Sequence, residues 1–293
     1  MSIINSKTSI VAIVLAVATT ATAQPTKDEK PAPSQCCHEK TTEKAAEKTA
    51  PIDPEAIKAL ETMGAFLRKQ MDFEVSTHAE TDYVLDNGQK VTLAKDAELR
   101  ARRPDRLRID VTSDRKQRQY FYDGKTFTLY GQKLGYYSTV AAPPTLNELA
   151  DVLEDKFALA LPMVDLFRWG TDQMPLKVIT SAVHVGTEKL DGVATEHYAF
   201  RQPGIDWQIW IEKGNRPIPH RLIMTTTDDT ARPEYTLAMK WTLNTHHDDA
   251  VFTFIPPKDA HKIAIGERNT KAIVRAEQAR RRSPNDRTRT TKK

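Results

Sequence analysis

The sequence predicts an α+β protein that is mostly antiparallel β: a curved sheet or incomplete β-barrel with an N-terminal helix and a helical lid insert. Three observations predict it. About a dozen segments alternate apolar with polar residues, which is more strand than a flat open sheet holds. Short connections with hairpin or tight-turn chemistry, such as Asp86-Asn87-Gly88, Asp123-Gly124-Lys125 and Asp191-Gly192, join them. One strongly helical, apolar-rich stretch, residues 145–170, interrupts the run.

In chain order, residues 1–23 place Lys7 before an apolar run from Ile10 to Val17 and the small residues Ala21-Thr22-Ala23, the pattern of a signal peptide cleaved after Ala23. The run is too short to span a bilayer, so export to the periplasm is expected. Residues 24–52 are rich in Pro, Lys, Glu, Thr and Ala and read as a disordered tether, with Cys36 and Cys37 as the only cysteines. No disulfide framework follows from them. The β domain is expected over residues 53–265. Asp53-Pro54-Glu55 opens a helix as N-cap, first-turn proline and first-turn acid, and Ile57, Leu60, Met63, Gly64, Leu67 and Met71 follow at helical spacing.

Strands are expected at 72–85, 89–101, 106–112, 116–122, 126–130 and 135–140, and after the insert at 178–189, 193–201, 206–212, 220–227, 235–244 and 251–254. Leu107, Ile109 and Val111 alternate with Arg106, Arg108 and Asp110, and Leu237, Met239, Trp241 and Leu243 with Thr236, Lys240 and Thr242. One face is therefore apolar and one wet.

Within the insert, Thr145 and Glu148 form a capping box, and Leu146, Leu149, Val152, Leu153 and Phe157 make one apolar stripe. Pro162 starts a second short helix in which Met163, Val164, Leu166 and Phe167 face inward, ended by Trp169 and Gly170. As a lid, these helices would cover a cavity for an acyl chain; as a plug, they would complete an ordinary core. Core and cavity wall use the same residue types, so periodicity does not separate the two. The expected ligand-binding wall is Trp207, Trp241, Met224, Met239, Leu149, Leu153, Met163, Leu166 and Phe167, with His220 on the inward face beside Ile218, Leu222 and Met224, placed to meet a polar head group.

Four strings carry a family resemblance: Asp123 to Tyr130 (DGKTFTLY), Leu161 to Gly170 (LPMVDLFRWG), Ile205 to Glu212 (IDWQIWIE) and Phe252 to Pro257 (FTFIPP). With the element order, they resemble the predicted periplasmic protein family called domain of unknown function 2092, in the group of Lol-type outer-membrane lipoprotein carriers. The resemblance covers residues 54–265. It implies an incomplete barrel with a helical lid, a bound lipid or acylated lipoprotein, and a bacterial envelope location. The chain differs from the Lol carriers in its long tether, vicinal cysteines and basic tail.

Chemical signatures of other classes are absent. The sequence contains no G-x-S-x-G, H-E-x-x-H, P-loop or G-x-G-x-x-G pattern, so no catalytic residue, cofactor or metal site is assigned, and His246-His247-Asp248-Asp249 is expected in a solvated turn. Asp206 and Glu212 are expected to face solvent. Net charge is +4, but residues 267–293 carry ten Lys or Arg against three acids, so the remainder is mildly acidic and no nucleic-acid partner is expected. The basic tail is suited to an anionic membrane surface. The alternative to a carrier is a structural or protein-interaction module of the envelope with a filled barrel.

Overall fold

The computed structural model describes residues 51–169, 171 and 176–266. The signal segment, nearly all of the tether with its cysteines, Gly170 and the basic tail lie outside these residues.

Helix α1 (Pro54–Lys69) starts as its sequence dictates. The Asp53 side chain accepts the Glu55 N–H at 2.8 Å, a proline takes the first turn, and Arg68 and Lys69 lie in the last turn. Ala56, Leu60, Met63, Gly64 and Leu67 are buried. Met71, expected to extend this stripe, lies beyond the helix and is exposed.

Twelve strands form one sheet: β1 (Asp72–Val84), β2 (Lys90–Arg102), β3 (Arg106–Thr112), β4 (Gln117–Tyr122), β5 (Thr126–Gly131), β6 (Tyr136–Ala141), β7 (Ser181–Leu190), β8 (Val193–Gln202), β9 (Ile205–Glu212), β10 (Pro219–Thr226), β11 (Glu234–Leu243) and β12 (His261–Lys262). Their spatial order is 12-6-5-4-3-2-1-11-10-9-8-7. Two antiparallel meanders, β1 to β6 and β7 to β11, are thus joined through β1 and β11, and only the β12–β6 pair is parallel. The sheet is curved and open, an incomplete barrel.

This order forces two long crossings. The chain leaves β6 near one edge and begins β7 at the other, and residues 142–169, on the way between them, carry α2 (Leu146–Phe157) and α3 (Asp165–Arg168). Leu146, Leu149, Leu153, Leu161, Leu166 and Phe167 join α1 and the inner-face residues Phe73, Val75, Ala79, Leu99, Leu107 and Ile109 in one hydrophobic cluster. Burying each large side chain stabilises the fold by about 1.5 to 3 kcal/mol. The second crossing leaves central β11 and returns along the outer face to β12. There Phe254 sits 5.1 to 5.4 Å, ring to ring, from Phe121, Tyr130 and Tyr137.

That second crossing corrects one expectation. Residues 251–254 are not a strand; Asp249–Phe252 is a 3-10 turn. The alternation of Val251-Phe252-Thr253-Phe254 arises because the chain lies over the sheet and inserts alternate aromatic side chains into it, without joining the ladder. The two-residue β12 was not expected.

Helix α2 begins at its predicted capping box, with Thr145 Oγ1 accepting the Glu148 N–H at 3.3 Å and donating to Glu148 Oε2 at 2.8 Å. It ends in an αL cap: Ala158, left-handed at φ 50°, donates its N–H to Glu154 O at 3.1 Å, and Leu159 N–H bonds Leu153 O at 2.9 Å. An alanine Cβ is strained there. Ala158→Gly should therefore raise the unfolding free energy by about 0.5 to 1 kcal/mol, seen as a higher urea midpoint with unchanged slope.

Candidate functional site: the inner face under the helical insert

Strand parity and register set the inner wall. Phe73, Val75, Thr77, Ala79 and Thr81 of β1 pair with Leu243, Trp241, Met239, Leu237 and Tyr235 of β11, and β11 hands the same face to Leu222 and Met224 of β10, then to Ile209 and Trp207 of β9. All of these sit beneath the helices because side chains of one parity share one face.

Nine of the ten expected wall residues enter the same apolar cluster. Leu149, Leu153, Leu166, Phe167 and Met239 are buried in it, and Met163, Trp207, Met224 and Trp241 are half-buried against it. Four of them mark two ends of the inner face. At one end Phe73 lies 6.2 Å from Phe167 and 5.7 Å from Trp241, ring to ring, and Trp241 Nε1 donates to Pro219 O at 2.7 Å. At the other, Trp207, Met224 and Tyr235 run side by side across three strands, with Trp207 stacked on Phe200 at 4.3 Å. Val75, beside Trp241, and Thr81, beside Tyr235, are six residues apart on β1, so the two ends are about 20 Å apart.

His220 is the exception. The register slips between Pro219 and Arg221, so His220 is the extra residue of a β-bulge and leaves the alternation. Its Nε2 lies 2.9 Å from Glu212 Oε2, and Glu212 also takes the Arg216 guanidinium. The expected inward histidine is therefore held by Glu212 at the strand end. Asp206 binds Arg201 through two bonds of 2.6 and 2.9 Å.

Sequence reasoning passed over Tyr235, Phe73 and Arg103. Tyr235 was readable, because it shares the parity of Leu237, Met239 and Trp241; for β1 no inward residue had been assigned, and Phe73 shows its face only through its pairing with Leu243. Burial, reinforced by the Asp165 charge, pushes the Tyr235 hydroxyl up to about 12, and burial raises the Asp165 carboxyl on α3. Lys95 of β2, paired with Ala79 and so on this face, holds Nζ 5.9 Å from the Tyr235 ring centroid.

The insert fills much of the inner face with its own side chains. A cavity of about 290 Å³ lies off to the side, between α1 and β8–β9, lined by Glu55, Lys58, Ala59, Thr62, Glu196, Tyr198, Ile211, Glu212 and Lys213 among others. Its wall mixes charged with apolar side chains. Hydrogen bonds from Lys213, His184 and Thr187 outweigh burial and hold the Glu196 carboxyl down at about 2. Among the described residues no cluster of three or more His, Cys, Asp or Glu is placed to hold a metal ion, and no helix is long and apolar enough to cross a membrane. His247, once expected in a solvated turn, is tied by its ring and its N–H to Asp72.

An open, curved antiparallel sheet whose apolar inner face is crossed by short helices defines the class. Within it, the chain belongs to the family described as predicted periplasmic protein (DUF2092), whose model matches residues 56–266. No curated protein matches the chain. Among solved structures it is similar to the lipoprotein LppX of Mycobacterium tuberculosis, at 11% identity and TM-score 0.42, covering 67% of this chain and 98% of that one. It is also similar to LprF of Mycobacterium bovis, at 12% identity and TM-score 0.42, covering 72% and 99%. A LolA superfamily protein of Nitrosomonas europaea aligns at 12% identity and TM-score 0.32, covering 68% and 97%.

Proposed function

We propose that the protein is an exported periplasmic carrier or binder of a hydrophobic ligand, a lipid or the acyl chain of a lipoprotein, and that it performs no catalysis. The observation that carries this reading is the half-buried rim of Trp207, Met224, Trp241 and Met163 around the buried cluster. Broad aromatic faces and flexible thioethers adapt to irregular apolar cargo. Because Leu149, Leu153, Leu166 and Phe167 occupy the inner face, a ligand enters by lifting the insert. The same packing favours a second reading, an envelope module with a filled interior that presents its outer face to a partner.

Native mass spectrometry of protein purified from its own compartment, followed by organic extraction, separates the two. The carrier releases a co-purifying lipid and, once stripped, binds a fluorescent fatty acid with a change in tryptophan emission. A protein that is empty as isolated and ignores the fatty acid is the filled module.

A further inference from the structure

Arginines on this sheet use one edge in a repeated way. Arg201 places Nε and Nη2 on the two oxygens of Asp206 at 2.6 and 2.9 Å, Arg216 does the same to Glu212 at 2.9 and 3.2 Å, and Arg108 to Asp110 at 2.9 and 3.2 Å. Arg103, between β2 and β3, presents the same two nitrogens, Nε and Nη2. Both are buried and neither has a hydrogen-bond acceptor. Buried donors of this kind are rare in folded proteins, and a buried guanidinium without an anion is costly because the group does not give up its charge.

The surroundings of Arg103 add to that cost. Its guanidinium carbon lies over the Phe167 ring of the insert, 5.1 Å from the ring centroid. The Arg68 charge on α1 is close enough to repel it, and Arg68 Nη1 is directed to the Trp169 carbonyl at 3.0 Å. Its backbone is fixed by a 2.7 Å bond from its N–H to Met71 O. No carboxylate pairs with Arg103 among the described residues. A planar oxyanion fits a side-on guanidinium edge by two parallel bonds, as the three pairs above show within this protein.

We propose that Arg103 is the seat for the anionic head, carboxylate or phosphate, of an amphiphile whose apolar tail lies on the Phe167, Phe73 and Trp241 rings. This rests on the carrier reading and adds to it a charge selectivity and an orientation: head at the Arg103 end, tail running towards Met224 and Trp207. The insert then closes over the tail with Phe167 bridging head and chain.

The test uses the full mature chain, stripped of lipid, as wild type, Arg103→Gln and Arg103→Lys. Calorimetric titration compares hexadecanoate, hexadecyl phosphate and hexadecanol, which share a tail and differ in head. Wild type should bind the two anions at least about tenfold more tightly than the alcohol, whereas Arg103→Gln should bind all three at the alcohol's level, and Arg103→Lys should fall between. A tighter carboxylate identifies a fatty acid as the source of the head, and a tighter phosphate a phospholipid-type head. An Arg103→Gln protein that keeps the wild-type preference overturns the seat. If none of the three probes binds any variant, the carrier reading fails, and inorganic phosphate decides the seat alone. A phosphate-dependent rise in melting temperature in wild type and not in Arg103→Gln retains it, and no rise in either overturns it.

Discussion

Phe73→Ala will lower the unfolding free energy by about 3 to 5 kcal/mol, the range for removing a large aromatic side chain from a filled core. Phe73 is 2% exposed, the first inner-face residue of β1, and stands between Phe167 of the insert and Trp241 of β11 at 6.2 and 5.7 Å. Its loss removes the transferred ring area and both ring contacts, each aromatic pair adding about 0.5 to 1.5 kcal/mol beyond burial. Phe73→Leu, which keeps most of the volume, should cost less than about 1.5 kcal/mol. Urea denaturation of the two variants measures the difference. A loss under about 1 kcal/mol for the alanine variant would mean that the insert is not seated on β1.

The elements that were legible are those whose local chemistry and tertiary setting agree. Asp53-Pro54-Glu55 and Thr145-x-x-Glu148 mark helix starts by satisfying backbone donors within the segment itself, and no distant contact overrides them. The strands around Leu107 and Leu237 alternate because one face of the sheet packs into the hydrophobic cluster shared with the helices. His220 was misplaced because a bulge changes parity without leaving a composition signal, and the inward count from Leu222 ran through it. Val251 to Phe254 looked like a strand because Phe252, at the end of a 3-10 turn, and Phe254, two residues on, both lay their rings against the sheet.

The candidate site was legible as a set of residues and illegible as a place. Strand parity put Trp207, Met224, Met239 and Trp241 on one face, and helical spacing turned the five insert residues towards the same cluster. What parity does not contain is strand order. Only the join of β1 to β11 puts Trp241 beside Phe73 and Phe167, and Trp207 about 20 Å away beside Tyr235. Arg103 shows the limit most clearly. In Arg103-Pro104-Asp105 it reads as one more turn residue, and its significance comes from α1 and the insert, which bring Arg68 and Phe167 to it from 35 residues before and 64 after.

The return crossing on the outer face has its own anchor, and removing it should be the second large effect. Asp72, at the start of β1 but on the outer face, accepts from Thr245 Oγ1 at 2.6 Å and from the His247 N–H at 2.8 Å, and lies 2.5 Å from His247 Nδ1. Arg102 adds a 2.7 Å bond to His247 O and an ion pair to Asp249, while its guanidinium sits 5.6 Å from the Phe252 ring centroid. Asp72→Ala strips acceptors from several largely enclosed donors and should cost about 2 to 4 kcal/mol. Asp72→Asn, which keeps one acceptor, should cost less. Burial would raise the Asp72 carboxyl, but the bonds from Thr245 and His247 outweigh it and hold it below its usual value of 3.8. A depressed folded value means stability that is present above pH 3.8 and lost as pH falls from there through the folded value. Urea midpoints at pH 7 and pH 3 should therefore converge between wild type and Asp72→Ala as acid removes the contribution from wild type alone. Hydrogen exchange should show the lost protection concentrated in residues 245–263, since the belt is held at His247 and at β12 and only the first hold is cut. A gap between the two proteins that stays constant with pH would assign the cost to packing and remove the charge from the account.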